Sequence, residues 1–365
     1  MTLRSFSVES VQCLLLEWYR TCHRKLPWRN SNDPYGIWVS EVMLQQTQVN
    51  TVLPYYAAFM NQFPTIVDLS RADLGTVLKA WEGLGYYARA RNFHKAARMV
   101  TQDLGGCIPD NWKDFKKLPG VGEYIASAVQ SIAFDRPHAV VDGNVKRVLA
   151  RLFLMEEAVN EAASHKAFKR RATVLMKGAK PGIFNQAMME LGALICRPRN
   201  PACSDCCLCP HCRAYQTDQV RNYPERRQRR VVPTRRTAAG VIWKRGRVLI
   251  TRRRPEGLLG GLWEFPGGKV NQTEDARIAC IREIQEETGL AVEIHSHLAR
   301  VKHAYTHFRI EMDVFQCWYV SGSIRLNGPE DFRWVKVSEL HQYPFPKANL
   351  KFIPSVAKPQ GMADL

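Results

Sequence analysis

The stretch Leu118-Pro119-Gly120-Val121-Gly122-Glu123-Tyr124 decides the fold that we expect for most of the chain. It predicts two helices joined by a tight hairpin, because Gly120 and Gly122 can adopt backbone angles that are closed to residues with a Cβ atom. The second helix is expected from about Glu123 to Phe134. Its N-terminal amides form a site for an anion such as a phosphodiester. A plain loop between two packed helices is the alternative interpretation.

A carboxylate follows at the start of a third helix, in Val141-Asp142-Gly143-Asn144-Val145. Asp142 suits the N-cap of that helix. Its carboxylate could instead face a pocket and stabilise positive charge that develops on a sugar. The sequence leaves both interpretations open.

A second carboxylate, Glu41, lies between Ile37 and Leu44 on the apolar stripe of a helix predicted over Ile37–Val49. Burying an ionised carboxylate is costly, so Glu41 should keep its proton, as a general acid must. One protonated and one ionised carboxylate are what cleavage of a glycosidic bond requires. A solvated helix glutamate is the alternative for Glu41, and sequence spacing does not decide whether it faces Asp142.

Aromatic turns separate the other helices, which we predict over residues 6–20, 64–69, 74–81 and 88–104. Pro27-Trp28-Arg29 could press on a base or a phosphate, and Gly83-Leu84-Gly85-Tyr86-Tyr87 could offer a ring to a DNA stack. Both turns also suit ordinary packing between helices. Because no strand pattern occurs before about residue 235, the first two-thirds of the chain should be all-α.

The composition favours a nucleic-acid partner. The 365 residues include 52 Lys and Arg against 34 Asp and Glu, a formal net charge of +18, and such an excess binds phosphates by releasing counterions. The length allows two domains. We expect a cytosolic protein, since we find neither a signal peptide nor a membrane span. Its 11 cysteines should then be reduced or bound to metal.

A short loop gathers four cysteines, Cys196, Cys203, Cys206 and Cys212, with the spacing C-x6-C-x2-C-x5-C. Four thiolates so close together in a reduced protein predict a metal site. Zinc is one alternative for the metal. Cys207 and Cys209 add further C-x2-C pairs, so the ligand set is open at this point.

Residues from about 6 to 215 resemble the helix-hairpin-helix base-excision glycosylases of the endonuclease III superfamily, and within it the MutY-type adenine DNA glycosylases. The resemblance is carried by Trp38–Thr47, Leu118–Gly122, Val141–Val145 and the four cysteines, which have the family's [4Fe-4S] spacing. It implies that Glu41 protonates the adenine ring, that Asp142 stabilises the sugar cation or its adduct, and that Asn144 orients water or the carboxylates.

The resemblance also implies how DNA is bound. Gln46 and Tyr86 would wedge into the duplex while adenine is flipped out, since the glycosidic bond is inaccessible in the stack. Arg29, Gly120 and Gly122 would contact the DNA as well. The expected partner is double-stranded DNA with adenine opposite 8-oxoguanine or guanine, bound by a monomer.

Tyr124 stands where bifunctional members of the superfamily carry a lysine nucleophile. Tyrosine cannot form a Schiff base, so Tyr124 predicts a monofunctional glycosylase. Thymine-mismatch glycosylases can also carry tyrosine there and remain an alternative, although Glu41-Val42-Met43-Leu44-Gln45-Gln46-Thr47 weighs against them.

The composition changes after Cys212. We predict a helical domain over residues 1–219, an Arg-rich linker over 220–236 that tracks phosphates or is a solvated tether, and an α+β domain over 237–365. In the last domain, His303–Phe308 resembles the Phe-Ser-His loop of MutY-type proteins. The resemblance implies that Thr306 and His307 contact the oxidised guanine.

The last domain also carries the string Gly268-x5-Glu274-x7-Arg282-Glu283-Ile284-x-Glu286-Glu287-x-Gly289-Leu290, which matches the Nudix box. Glu283, Glu286 and Glu287 share one helix face and could hold Mg²⁺. A Nudix-like domain is typical of MutY-type proteins, where it recognises 8-oxoguanine, but there the box is usually degraded. The complete box leaves open hydrolysis of an oxidised nucleoside triphosphate.

The sequence therefore predicts a multidomain protein: an all-α helix-hairpin-helix glycosylase domain with a [4Fe-4S] loop, then a Nudix-like α+β domain. The predicted activity is removal of adenine opposite 8-oxoguanine or guanine. Three other hypotheses are a thymine-mismatch glycosylase, a nucleotide-pool hydrolase and a catalytically silent DNA-binding protein.

Overall fold

The computed structural model describes residues 7–29, 31–228, 232–305 and 308–357. Its contacts divide the chain into two compact units, Met1–Asp68 with Lys95–Arg229 and Leu69–His94 with Arg230–Leu365. The segment Leu69–His94, which the sequence placed in the helical domain, thus groups with the C-terminal residues. The domain limits at 219 and 237 stay a prediction.

The part of the chain before the sheet is helical, as predicted. Its helices are α1 (Val8–Cys22), α2 (Pro34–Leu44), α3 (Val49–Gln62), α4 (Ile66–Arg71), α5 (Leu74–Ala80), α6 (Ala88–Asp103), α7 (Trp112–Phe115), α8 (Glu123–Phe134), α9 (Gly143–Phe153), α10 (His165–Met176), α11 (Pro181–Leu194) and α12 (Arg213–Gln216). Within the described ranges, no helix is long and apolar enough to cross a membrane.

Helix α2 is shorter than the sequence predicted. Asp33 caps its N-terminus by accepting the amides of Tyr35 and Gly36, and Pro34 takes the first helical position. The predicted helix over Ile37–Val49 ends at Leu44, because Gln46 has a φ of 60° and α3 begins anew at Val49. The interior of α2 is buried on all sides, which places Glu41 inside the unit.

The hairpin turn before α8 confirms one glycine prediction and corrects the other. Gly120 has a φ of 77°, in the region that favours glycine. Gly122 has a φ of −81° and a ψ of 179°, extended angles that other residues adopt, so the expectation of special angles there is wrong. No atom lies within 4 Å of the position that a Cβ on Gly122 would take, so its surface is open to a partner.

Helices α9 and α11 cross closely in the core of the first unit. A Cβ atom on Gly192 of α11 would lie only 2.6 Å from the Cβ of Asn144 on α9, which is closer than side-chain carbons approach each other. The surrounding core comes from α1, α9, α10 and α11, and Cys196, Cys206 and Cys212 pack against it. The glycine therefore sets the distance between the two helices.

The first residues of the predicted linker are held by the first unit. Asn160 pairs with the backbone of Arg227 in both directions, at 2.9 Å and 3.0 Å. Glu161 forms an ion pair with the Arg227 side chain at 2.7 Å. Arg227 is thus bound to the first unit, while the two interpretations of the linker stay predictions. Residues 229–231 of the linker lie outside the described residues.

The second unit contains a mixed seven-stranded sheet. Its strands are β1 (Thr234–Lys244), β2 (Arg247–Arg252), β3 (Trp263–Glu264), β4 (Gly267–Lys269), β5 (Ala291–Ala304), β6 (Arg309–Ser321) and β7 (Asp331–Val335), with helices α13 (Ala276–Thr288) and α14 (Lys347–Leu350). The order is β3-β2-β1-β6-β5, with β4 on β1 and β7 on β2. Strands β1 and β6 are parallel, and the other pairs are antiparallel. The α+β prediction is confirmed.

Candidate active site

Glu41 lies in a cavity of about 500 Å³ in the first unit. Its residue surface is only 4% exposed, and its carboxylate accepts a hydrogen bond of 2.6 Å from the Tyr124 hydroxyl. Burial raises the pKa of Glu41 to about 7, helped by the charge of Asp142 and opposed by the Tyr124 bond and Arg29. The carboxyl group therefore keeps its proton up to near-neutral pH.

Asp142 lines the same cavity and caps α9 at the same time. One carboxylate oxygen accepts the Val145 amide at 2.7 Å, and the other accepts the Asn144 side-chain amide at 3.0 Å. Burial raises the pKa of Asp142, while the Val145 amide, Arg147 and Asn144 oppose that rise. The two interpretations from the sequence, an N-cap and a pocket carboxylate, thus describe one residue in both roles.

Tyr124 interacts electrostatically with both carboxylates. Burial raises its pKa well above the ordinary value, and the charges of Glu41 and Asp142 raise it further. The phenol is therefore neutral and acts as a hydrogen-bond donor to Glu41. The first turn of α8, which the hairpin sequence predicted, presents this hydroxyl to the cavity.

Sequence reasoning missed Glu190, which is 1% exposed and lines the cavity from α11. It forms ion pairs of 2.6 Å with both Arg24 and Arg29. Although burial raises the pKa of Glu190, the hydrogen bonds from the two arginines hold it at about 2. The signal was available: Glu190 interrupts the apolar run Met188–Leu191, as Glu41 does in α2.

The remaining cavity wall combines apolar and polar groups. Trp28 is buried and packs edge-on against Tyr56, with ring centroids 5.0 Å apart, so the packing interpretation of the Pro27-Trp28-Arg29 turn holds. The turn also lines the cavity through Trp28 and Arg29. Other lining residues are Leu26, Ile37, Leu44, Thr47, Gln48, Val49, Asn50, Ile132, Asn144, Gln186, Met189 and Ala193. A flat apolar surface beside fixed charges suits a polar aromatic ring.

The two residues predicted to wedge into DNA share an unusual backbone. Gln46 has a φ of 60° and Tyr86 a φ of 51°, values that are uncommon for residues other than glycine. Tyr86 is 43% exposed. Thr306 and His307, the predicted guanine contacts, lie outside the described residues.

The six clustered cysteines are free thiols that differ in their neighbours. Burial raises the pKa of Cys212 to about 11, and the nearby Cys196 and Cys203 raise it further. The pKa of Cys206 rises in the same way, with Cys196 and Cys212 among its neighbours. Burial raises the pKa of Cys207 to about 12, and this thiol has Cys22 and Cys206 nearby. Cys206 and Cys212 thus each have Cys196 nearby, Cys203 has Cys196 and Cys209 nearby, and Cys207 lies near both Cys206 and Cys22.

Two buried arginines of α9 connect the cysteine loop to the cavity. Arg147 donates to the Cys196 carbonyl at 2.6 Å and to the Asn144 side chain at 2.8 Å. Arg151 donates to the Cys196 sulfur at 3.3 Å and to the Arg197 carbonyl at 2.8 Å. A chain of hydrogen bonds therefore runs from the loop through Arg147 and Asn144 to Asp142.

Comparison with known proteins identifies the family. Residues 39–173 match the family model of the HhH-GPD superfamily of base excision DNA repair proteins. The adenine DNA glycosylase of Mus musculus is 37% identical over 356 residues, covering 82% of this chain and 69% of that protein. The adenine DNA glycosylase of Homo sapiens is 35% identical, covering 90% and 70%.

The chain belongs to the adenine DNA glycosylase family.

The second unit fits this family as well. Residues 238–355 match the NUDIX domain model, and the Schizosaccharomyces pombe adenine DNA glycosylase, 30% identical, covers 94% of this chain and 88% of its own length. A solved thermostable thymine-DNA glycosylase is 32% identical with a TM-score of 0.53, but covers 57% of this chain and 97% of its own. The adenine DNA glycosylases thus match a larger share of this chain than the thymine-DNA glycosylase does.

The complete Nudix box of this family member forms an ordered network in the second unit. Arg282 donates to Glu274 and to Glu283, each at 2.8 Å, and approaches Glu286 at 3.2 Å. Glu287 accepts the Gly267 amide at 3.2 Å, and burial together with Glu264 raises its pKa to about 8. Among the described residues, no three His, Cys, Asp or Glu side chains are arranged to hold one metal ion. The predicted magnesium ligands bind Arg282 and Gly267 instead.

Proposed function

We propose that this protein is a monofunctional adenine DNA glycosylase that hydrolyses the glycosidic bond of adenine opposite 8-oxoguanine or guanine. The single observation that carries the proposal is the pairing of a protonated Glu41 with an Asp142 that is bound by an amide and an asparagine in the same cavity. The family supplies the substrate class, since the mouse and human relatives are adenine DNA glycosylases.

Each carboxylate has a distinct task in this mechanism. Glu41, protonated near neutral pH, donates its proton to the leaving adenine, and neutralising the leaving group weakens the glycosidic bond. Asp142 carries the negative charge that stabilises the oxocarbenium-like sugar. Asn144 keeps the Asp142 carboxylate oriented toward the cavity. Water then adds to the sugar carbon, the Glu41 carboxylate takes up the proton that the water loses, and an abasic site remains.

The cavity has no amine in the place of a Schiff-base nucleophile, since Tyr124 occupies it and donates to Glu41. This supports hydrolysis without strand cleavage. Glu190 holds Arg24 and Arg29 at the wall of the cavity that would receive a flipped base. The net charge of +18 supplies attraction to the DNA backbone.

The spacing of Cys196, Cys203, Cys206 and Cys212 supports a [4Fe-4S] cluster held by these four thiols, and both Cys206 and Cys212 have Cys196 nearby. The bound cluster would fix the shape of the loop, and the charge on its ligands would be balanced by Arg151. Through Arg147 the loop also supports Asn144.

The experiment is single-turnover base release from duplexes with adenine opposite 8-oxoguanine, adenine opposite guanine, and thymine opposite guanine. Wild type should release adenine, fastest opposite 8-oxoguanine, and Asp142→Asn should not. Borohydride should trap no covalent complex. Thymine release without adenine release would replace this proposal with a thymine glycosylase.

A second activity is favoured by the intact network of the Nudix box. Arg282 connects Glu274 to Glu283, and the Glu283 carboxylate lies directly against Gly268. Mg²⁺ held by Glu283, Glu286 and Glu287 would activate water toward an oxidised nucleoside triphosphate. The full chain with Mg²⁺ should release pyrophosphate from 8-oxo-dGTP, Glu287→Gln should not, and Asp142→Asn should do so normally. No release by wild type would refute this activity.

A further inference from the structure

The turn Gly83–Tyr87, here called the Tyr86 turn, has a strained backbone in the second unit. Gly83 and Gly85 have φ values of 95° and 75°, and Tyr86 between Gly85 and Tyr87 has 51°. A tyrosine adopts such angles only where its surroundings impose them. Because Tyr86 is 43% exposed, burial of its own ring is not what holds it. Neighbouring residues must therefore fix the turn.

Residues next to the turn fix its inner side. Arg89 donates to the Gly85 carbonyl at 3.0 Å, and Trp81 donates to the same oxygen at 3.3 Å. The Arg89 guanidinium lies 5.4 Å from the Tyr86 ring centroid and 5.5 Å from that of Trp81. This cation–π stack orients the exposed ring.

The two ends of the turn are held by the backbone of one distant residue, Phe345. The Glu82 carboxylate accepts the Phe345 amide at 2.8 Å, and the Tyr87 hydroxyl donates to the Phe345 carbonyl at 3.0 Å. The Tyr87 hydroxyl also accepts the Gly83 amide at 3.3 Å, which closes the turn. Lys79 pairs with Glu82 at 2.6 Å and donates to the Tyr343 carbonyl at 3.2 Å.

Phe345 is a rigid support because its ring is buried. It is 1% exposed and stacks on Phe265, with centroids 5.8 Å apart and planes inclined by 17°. Its neighbour Pro344 accepts the Trp263 amide at 2.9 Å, which connects this segment to β3. Displacing the Phe345 backbone would therefore disturb the apolar core of the second unit.

The same core holds Tyr305 and Phe308, the two residues that flank the predicted lesion contacts in the sequence. Tyr305 and Phe308 pack against the cluster that contains Phe345. The Tyr305 amide donates to the Phe308 carbonyl at 2.8 Å, and their rings stack with centroids 4.9 Å apart. These two residues flank Thr306 and His307. One core thus supports both the Tyr86 turn and the ends of the lesion-contact loop.

We infer that Glu82 and Tyr87 are positioning residues that fasten the Tyr86 turn to the Phe345 backbone, so that Tyr86 recognises the base opposite adenine from the same core that holds Tyr305 and Phe308. This inference rests on the proposed function, removal of adenine opposite 8-oxoguanine, and on the prediction that Tyr86 enters the duplex. It assigns lesion preference to two residues that touch neither the DNA nor the catalytic cavity.

The test uses the full chain and the ratio of single-turnover rates for adenine opposite 8-oxoguanine and adenine opposite guanine. The variants are Glu82→Ala and Tyr87→Phe, with Glu82→Gln as a conservative variant that keeps an acceptor for the Phe345 amide. Matched controls are Tyr319→Phe, which removes a hydroxyl bonded to Gly322, and Glu330→Ala, which removes a carboxylate paired with Arg252.

Glu82→Ala and Tyr87→Phe should each lower the rate ratio by about fivefold, the effect of one lost hydrogen bond. Glu82→Gln and the two controls should keep the wild-type ratio. Amide hydrogen exchange at Gly83–Tyr87 and Phe345 should accelerate in Glu82→Ala and Tyr87→Phe without DNA. That exchange readout separates this inference from the proposed function, whose failure would show as absent adenine release by wild type.

Three outcomes would overturn the inference. An unchanged ratio in Glu82→Ala and Tyr87→Phe would show that the anchor has no part in lesion preference. Equal slowing on both duplexes would show a general loss of structure rather than positioning of the turn. Unaltered hydrogen exchange in both variants would contradict the anchor itself.

Discussion

Replacing Tyr124 with phenylalanine should make base removal faster at alkaline pH. The Tyr124 hydroxyl donates a 2.6 Å hydrogen bond to Glu41 and thereby lowers the pKa of that carboxyl group. Without the bond, the pKa of Glu41 should rise above its value of about 7. A hydrogen bond to a charged group contributes about 1.5–3 kcal/mol, which corresponds to about 1–2 pH units.

The sign follows from the role of Glu41 as a proton donor. The rate of wild type should fall as pH rises through about 7, by about tenfold per unit. In Tyr124→Phe this decline begins at higher pH. At pH 9 the variant should therefore exceed wild type by about tenfold if the pKa rises by one unit. Below pH 6 the two should differ little.

The assay is the single-turnover rate of adenine release between pH 5 and pH 9.5, with the DNA fully bound at each pH. Tyr35→Phe is the matched control. Tyr35 lies on the same helix as Glu41, and its buried hydroxyl donates to the Phe63 carbonyl rather than to Glu41. The control should keep the wild-type pH profile. Two results would refute the reasoning: a pH profile of Tyr124→Phe shifted to lower pH, or a rate that is lower than that of wild type by the same factor at every pH.

Three further predictions concern stability and the cysteine loop. Glu190→Gln should lower the free energy of unfolding by about 3–5 kcal/mol in urea titrations, because two arginines lose a buried partner. Wild type should lose the same contribution as pH falls from about 4 toward 2, since the pKa of Glu190 is depressed to about 2. A small change in Glu190→Gln would contradict this ion-pair account. Cys207→Ser should keep the iron content and visible absorbance of purified protein, and Cys206→Ser should lose both. Loss of iron in Cys207→Ser but not in Cys206→Ser would make Cys207 the cluster ligand instead of Cys206. Asp142→Asn should keep wild-type stability because asparagine also caps helices. Asp142→Ala should lower the free energy of unfolding by about 1 kcal/mol. Equal melting temperatures of the two variants would argue against the cap.

Local patterns predicted much of this fold from the sequence. The helix over Glu123–Phe134 and the first strand near residue 235 both follow from patterns within a dozen residues. The burial of Glu41 was predictable for the same reason, because Ile37 and Leu44, four and three positions away, are apolar. The family and its enzymatic class followed from the motifs, and the comparisons confirm them.

Features that depend on tertiary contacts were not predictable in the same way. The predicted end of α2 was wrong because Gln46 adopts a positive φ without a glycine or proline to indicate it. The Glu190 ion pairs join residues more than 160 positions apart. The attachment of Glu82 to Phe345 spans an even longer separation. No periodicity within one segment contains that information.

The crossing of α9 and α11 has a consequence for natural variation in this protein. Gly192 has no functional group, yet even a methyl group there would push against Asn144, which holds the Asp142 carboxylate in place. A Gly192→Ala allele would therefore look harmless by charge and size while disturbing the catalytic carboxylate. Among inherited substitutions in this gene, those at Gly192 should impair base removal about as severely as loss of the Asp142 carboxylate.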